Sequence, residues 1–152
     1  VQVAAERLGD RVRVCAPFEP DSNLICLALN PVGNRSVAAM NRFGRAVFDR
    51  LKVHPEQPVQ TRTFIGSYTS LTKEALPGRQ AERILRGLEL EPDTFVRVPE
   101  DPQRQADHIF ILRHTLMNPW LMASPSEDQR SYVDHYWEHL ERVVDEVLAA
   151  ER

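Results

Sequence analysis

Hydrophobic residues follow two different periods along this chain, one typical of strands and one typical of helices. Residues 12–16 and 24–29 are short alternating or apolar stretches, and the segment 20–23 (PDSN) between them has turn-forming residues. Residues 63–69 and 109–117 have the same strand character. The pattern therefore predicts a hairpin followed by two further strands.

The helical period dominates two long segments. Ser36 is the predicted N-cap of the first helix, whose apolar residues recur every three or four positions as far as Lys52. The second helix is predicted to begin at residues 124–127 (SPSE), which combine a capping box with a proline in the first turn, and to continue to the end of the chain. Each helix has one apolar face that must pack against another layer.

Residues 71–107 interrupt this order with charged, proline-containing sequence, and we predict that they form an excursion from the sheet. Within the excursion, residues 80–88 have the apolar spacing of a short helix and residues 94–98 the composition of a brief strand. Residues 1–9 have the pattern of the tail of a helix from an upstream domain, so that residues 10–152 form the domain proper.

The order of elements predicts an α+β fold. Its centre is a small, mainly antiparallel sheet of three to four strands, because a hairpin makes neighbouring strands antiparallel. Two amphipathic helices pack on one face of that sheet, which buries both apolar stripes in one core. A length of 152 residues suits one domain of this kind.

Composition and charge exclude several classes of protein. The formal net charge of -3 disfavours nucleic acid as a partner, and no apolar run is long enough to cross a membrane. Because no signal-peptide pattern opens the chain, we expect a cytoplasmic protein. Cys15 and Cys26 are too few for a disulfide framework and suit reduced core thiols, although a hairpin could bring them face to face.

Arg113 is the main candidate for function, because it interrupts the apolar strand 109–117. A guanidinium in such a strand needs a counter-charge, and its planar fork suits a carboxylate. Two interpretations stay open. Either Glu127 or Asp128 forms an internal salt bridge with Arg113, or the carboxylate of a ligand binds there.

Residues 135–139 (HYWEH) match the H-x-x-E-H signature of zinc proteases. His135 and His139 lie one helical turn apart and could share a metal ion. However, the apolar stripe of this helix passes through Tyr136 and Trp137, which places both histidines near its edge. Histidines on a solvated helix face are therefore the favoured interpretation, and a zinc hydrolase is a third possibility.

Other nucleophiles have little support in the sequence. Lys52 and Lys73 are the two lysines of the chain, and neither has the apolar surroundings that lower a lysine pKa. The chain contains no G-x-S-x-G motif, and its six glycines do not form a phosphate-binding loop.

Two blocks of sequence resemble the carboxy-terminal region of group II pyridoxal-phosphate-dependent amino-acid decarboxylases. This family includes the glutamate, aromatic amino-acid, diaminobutyrate and tyrosine decarboxylases. The blocks are residues 30–51, which begin NPVGNRSVAAMNR, and residues 112–119, LRHTLMNP. Weaker likeness extends over residues 18–26 and 67–69.

The resemblance implies that this chain is the small C-terminal domain of such an enzyme, in which a large domain holds pyridoxal phosphate (PLP) and its lysine. It also implies a homodimer and an amino-acid substrate. Arg113 would bind the substrate's α-carboxylate, because it keeps the spacing of an R-x-x-x-x-N-P stretch that ends at Asn118 and Pro119. Since the cofactor lysine lies elsewhere, the chain alone is expected to be inactive.

Residues 71–107 are longer than expected in the glutamate-type enzymes, which points to a tyrosine-type branch and leaves the substrate open. The alternative to this assignment is a non-catalytic α/β interaction domain in which Arg113 is bridged internally.

Overall fold

The computed structural model describes residues 2–19, 24–52, 55–56, 66–115 and 131–150. Its helices are α1 (Gln2–Leu8), α2 (Val37–Leu51), α3 (Gly78–Gly87) and α4 (Tyr132–Ala150). Its strands are β1 (Val12–Cys15), β2 (Leu24–Pro31), β3 (Ser67–Thr72) and β4 (His108–Thr115). The predicted turn at 20–23 lies outside the described residues.

The four strands form one sheet in the order β1-β2-β4-β3, and every pairing is antiparallel. The α+β class and the four-stranded antiparallel sheet are thus confirmed. The strand that carries Arg113 lies between two others, and this central place accounts for its apolar residues on both faces.

Helices α1, α2 and α4 cover one face of the sheet, as predicted for α2 and α4. Their apolar residues pack against the side chains of β2 and β4 that point to this face: Leu27, Leu29, Phe110 and Leu112. Helix α1 belongs to the same core, because Ala4 and Leu8 are fully buried in it. That this helix continues from an upstream domain stays a prediction.

The excursion covers the opposite face of the sheet. Helix α3 and the segment after it form a second core with Ile109 and Ile111 of β4. The predicted helix at 80–88 is confirmed, with an earlier start at Gly78. The predicted strand at 94–98 is wrong: Pro92–Thr94 is a 3-10 turn, followed by an isolated bridge between Phe95 and Ala106.

Capping side chains set where the long helices begin. The Oγ of Ser36 accepts a hydrogen bond from the Ala39 amide, so the predicted N-cap of α2 is confirmed. Helix α4 is described from Tyr132, where Ser131 and Asp134 form a reciprocal capping box. The predicted start at 124–127 lies outside the described residues. Within the described residues, no helix combines the length and apolarity needed to cross a membrane.

Candidate functional site

Arg113 lies close to the C-terminal end of β4, between two neighbouring strands. Its register partners are Cys26 on β2 and Ser67 on β3. The side chain is exposed to solvent, whereas the residues before it, Ile111 and Leu112, are buried. Polarity therefore begins on this strand at Arg113, and the guanidinium is not desolvated.

Ser67 fixes one side of the guanidinium. The Nε of Arg113 donates to the Ser67 Oγ at 3.2 Å, and that hydroxyl donates to the backbone oxygen of Arg113 at 2.9 Å. Nε is engaged, and no described residue accepts a hydrogen bond from the four N–H donors on the two terminal nitrogens. No described carboxylate forms an ion pair with Arg113, and the predicted alternatives Glu127 and Asp128 lie outside the described residues.

The two cysteines are free thiols on the α3 side of the sheet. Burial raises the pKa of the Cys26 thiol, and the Arg113 charge acts as the smaller, opposing influence. Burial likewise raises the pKa of Cys15, opposed by the charge of Arg83. Both thiols are therefore protonated near neutral pH, which agrees with the expected reduced core cysteines and not with a thiolate nucleophile.

His114 follows Arg113 in sequence but lies on the opposite face, in the core beneath α4. Its side chain is 7% exposed, and its ring meets the Tyr136 ring edge-on at a centroid distance of 5.0 Å. Burial lowers the pKa of His114 to about 4, so the ring is neutral at physiological pH. No described group hydrogen-bonds to its Nε2. The alternation of residues along the strand predicted that His114 lies on the face opposite Arg113, but it did not predict the contact with Tyr136.

The zinc-protease motif does not form a metal site in the described part of the chain. His139 lies with its Nδ1 at 2.7 Å from a terminal nitrogen of Arg142, while Trp137 and Leu140 enter the core. Where the chain is described, no three metal-ligating side chains come together. The histidine pair therefore lies beside the buried stripe of α4, as the apolar pattern indicated.

Both lysines are engaged at the surface. The Nζ of Lys52 lies 2.6 Å from Asp49 Oδ1, and the Nζ of Lys73 lies 4.6 Å from the centre of the Phe95 ring. A lysine that anchors PLP needs a largely desolvated amine that can form a Schiff base. Neither side chain fits that requirement, so we assign no step of cofactor chemistry to this chain.

An open groove of about 420 Å³ lies at the other end of β4, and sequence reasoning missed it. It is lined partly by Asp107 and His108, whose Oδ1 and Nδ1 are 2.7 Å apart. The His108 hydrogen bond lowers the pKa of Asp107. Its described lining contains no serine, cysteine or lysine that a carboxylate–histidine pair could activate. The sequence signal that could have indicated this groove is the acid–base pair Asp107 and His108, which stands where β4 begins.

Comparison with protein families identifies a match over most of the chain. A family model described as tyrosine decarboxylase, C-terminal, matches residues 6–148. That range contains all four strands and the candidate Arg113. Among curated proteins, no sequence matches the chain.

Proposed function

Because the chain belongs to the family of tyrosine decarboxylase C-terminal domains, we propose that it completes the active site of a PLP-dependent amino-acid decarboxylase, with Arg113 binding the substrate's α-carboxylate. The observation that carries the proposal is an exposed guanidinium at the end of a buried central strand, where no described carboxylate meets it.

The hydrogen bonds of Arg113 support a role in orientation. A carboxylate and a guanidinium pair through two parallel hydrogen bonds, and this geometry restricts both partners. The contact from Nε to Ser67 holds the fork at one side and leaves its terminal nitrogens for that pairing. Holding the carboxylate fixes the direction of the bond to be broken, and orientation of this kind can lower a barrier by several kcal/mol.

Exposure of Arg113 suits the chemistry of the leaving group. The carboxylate is charged in the substrate and departs as neutral CO2, so a very tight grip on the ground state would raise the barrier. A guanidinium at a solvated strand end binds a carboxylate less strongly than a buried one, because water screens the pair. Its position therefore balances substrate binding against release.

The cofactor belongs to another part of the proposed enzyme. PLP, where bound, accepts the electrons of the bond that loses CO2. Since Lys52 and Lys73 do not fit as its anchor, we place PLP in a separate large domain of a longer, cytoplasmic, homodimeric protein. On this proposal the chain has no activity alone, and tyrosine is the first amino acid to test.

The test is a kinetic comparison in the longer protein that contains this domain, by CO2 release from L-tyrosine and related amino acids. Arg113→Gln should lower kcat/KM by roughly 10²-fold or more, since two charge-assisted hydrogen bonds are lost. Arg113→Lys should recover little activity, because an ammonium cannot form the two-pronged contact. PLP content, followed by its visible absorbance, should not change.

Arg42→Gln is the matched control. Arg42 is also exposed, but it lies on α2 and donates to the backbone oxygen of Gln103. This variant should keep the wild-type kcat/KM. If Arg113→Gln also keeps it, Arg113 does not bind the substrate and the proposal fails.

A further inference from the structure

An exposed arginine stacks on a cluster of aromatic rings beside the edge of the sheet. The guanidinium carbon of Arg45 lies 4.3 Å from the centre of the Tyr68 ring and 4.8 Å from that of Phe110. Tyr68 and Phe110 stack with their centres 5.0 Å apart, and Phe48 meets Tyr68 edge-on at 4.8 Å. These contacts hold the guanidinium in one place without neutralising its charge.

The charge of Arg45 has no counterpart in the described chain. Neither an ion pair nor a hydrogen bond joins Arg45 to a described residue, whereas other arginines, such as Arg11, pair with carboxylates. Arg45 is exposed, and Tyr68 beside it is 41% exposed. Tyrosine and arginine in such a pre-ordered group are the residues that most often dominate protein interfaces.

In its own sequence, the strand beside this group lacks the residues that usually protect a sheet edge. β3 is the last strand of the sheet, and its side away from β4 pairs with no described strand. Its six residues, SYTSLT, include no charge and no proline. Edge strands that must not pair usually carry lysine, proline or a bulge, so an uncharged edge is suited to accept another strand.

We propose that β3 and the Arg45–Tyr68 stack form a docking site for an extended acidic segment of a partner protein. The segment adds to the sheet as a fifth strand through backbone hydrogen bonds, a known mode of peptide recognition. Neighbouring strands lie about 4.8 Å apart, so an acidic side chain on the face shared with Tyr68 reaches the guanidinium of Arg45. The proposal does not depend on the decarboxylase function.

The probe is a synthetic octapeptide of alternating threonine and valine with one central glutamate, blocked at both ends. It is titrated into the isotope-labelled 152-residue chain, and the backbone amide signals are followed by NMR. Signals of residues 67–72 should shift with saturation. The same peptide with glutamine in place of glutamate should bind about tenfold more weakly, because the charge-assisted contact is missing.

Two controls separate the parts of the site. Arg45→Gln should weaken the glutamate peptide about tenfold and leave the glutamine peptide unaffected, while Arg42→Gln on the same helix should change neither. A glutamate peptide N-methylated at every amide has no N–H group to donate on either edge, so it cannot pair as a strand and should not bind. Far-UV circular dichroism verifies that each variant stays folded.

Three results would overturn the proposal. The first is a peptide affinity that stays the same when the glutamate or Arg45 is replaced. The second is an amide pattern of 67–72 that shifts with protein concentration alone, because a second copy then occupies the edge. The third is an absence of binding by the glutamate peptide; slow hydrogen exchange on the outer edge of β3 would then show that the chain's own residues cover it.

Discussion

Arg113 and His114 are consecutive on β4, yet one side chain is exposed and the other lies buried against Tyr136. The alternation of a strand accounts for this separation, since successive side chains point to opposite faces. The cation therefore lies where a ligand can approach, while the neutral imidazole packs under α4. A shift of register by one residue would exchange the two environments and bury the charge.

The buried imidazole makes stability depend on pH. His114 has a pKa of about 4 in the folded chain and about 6.5 when unfolded, so the unfolded state binds more protons between these values. Its contribution to stability is therefore complete above pH 6.5 and is lost as the pH falls towards 4. We expect His114 to account for about 2 kcal/mol of lost unfolding free energy between pH 7 and pH 5.

Urea unfolding of wild type and His114→Phe at both pH values measures this contribution. Phenylalanine keeps an aromatic ring beside Tyr136 but has no proton to bind. The variant should lose about 2 kcal/mol less than wild type over the same interval. Equal losses would show that His114 does not titrate as its burial requires.

The capping box at the start of α4 should contribute measurable stability. Ser131 Oγ accepts the Asp134 amide hydrogen at 3.2 Å, and Ser131 Oγ and N donate to Asp134 Oδ2. Ser131→Ala removes the capping oxygen and should cost about 1 kcal/mol in chemical denaturation. Ser131→Asp retains a capping oxygen and should recover most of that loss. An alanine variant as stable as wild type would rule out this cap.

Gly44 lets α2 approach the sheet closely. A methyl group at this position would lie 2.8 Å from the Cδ1 of Phe110, in the centre of the core. Gly44→Ala should therefore lower the unfolding free energy by about 1–3 kcal/mol despite the better helix propensity of alanine. Gly78→Ala is the control, because nothing lies within 4 Å of its added methyl group. Calorimetry should show a lower Tm for the first variant alone.

Asn30 joins β2 to the end of α3 and to the turn after β2, and it should be sensitive to substitution. It is fully buried, and its Nδ2 donates to the backbone oxygens of Asn34 and Leu88 at 2.9 and 2.7 Å. Asn30→Leu leaves these buried groups without a donor and should cost about 2–4 kcal/mol in urea unfolding. Val32→Ala, at an exposed position two residues later, should change stability by less than about 0.5 kcal/mol. Similar losses in both variants would contradict this role.

Local pattern was sufficient to predict most of the fold. The apolar spacing and the Ser36 cap placed α2 within one residue at each end, because both signals lie in consecutive residues. The excursion was harder to predict. Its helix α3 was visible from spacing, but no local signal showed that Ile84 and Phe95 would pack on the far face of β4. The prediction of a strand at 94–98 was wrong because Pro92 and Thr94 lie in a turn instead. The hydroxyl of Thr94 accepts a hydrogen bond from the Val37 amide there.

The candidate site was only partly accessible to sequence reasoning. Arg113 stands out because a guanidinium interrupts an apolar run, and the decarboxylase resemblance gave it a role. Its contact with Ser67 depends on the pairing of β3 with β4, which joins residues 46 positions apart. The stack of Arg45 on Tyr68 likewise needs a helix and a strand to meet. Neither contact can be predicted from the residues that neighbour it in the sequence.

The excursion limits how another molecule can reach the sheet of this domain. Helices cover one side of β2 and β4, and residues of the second core cover the other. Within the described chain, the flat surfaces of the central strands are thus already occupied. A molecule that contacts the sheet itself must therefore do so at its rim, and the exposed guanidinium at the end of β4 lies on that rim.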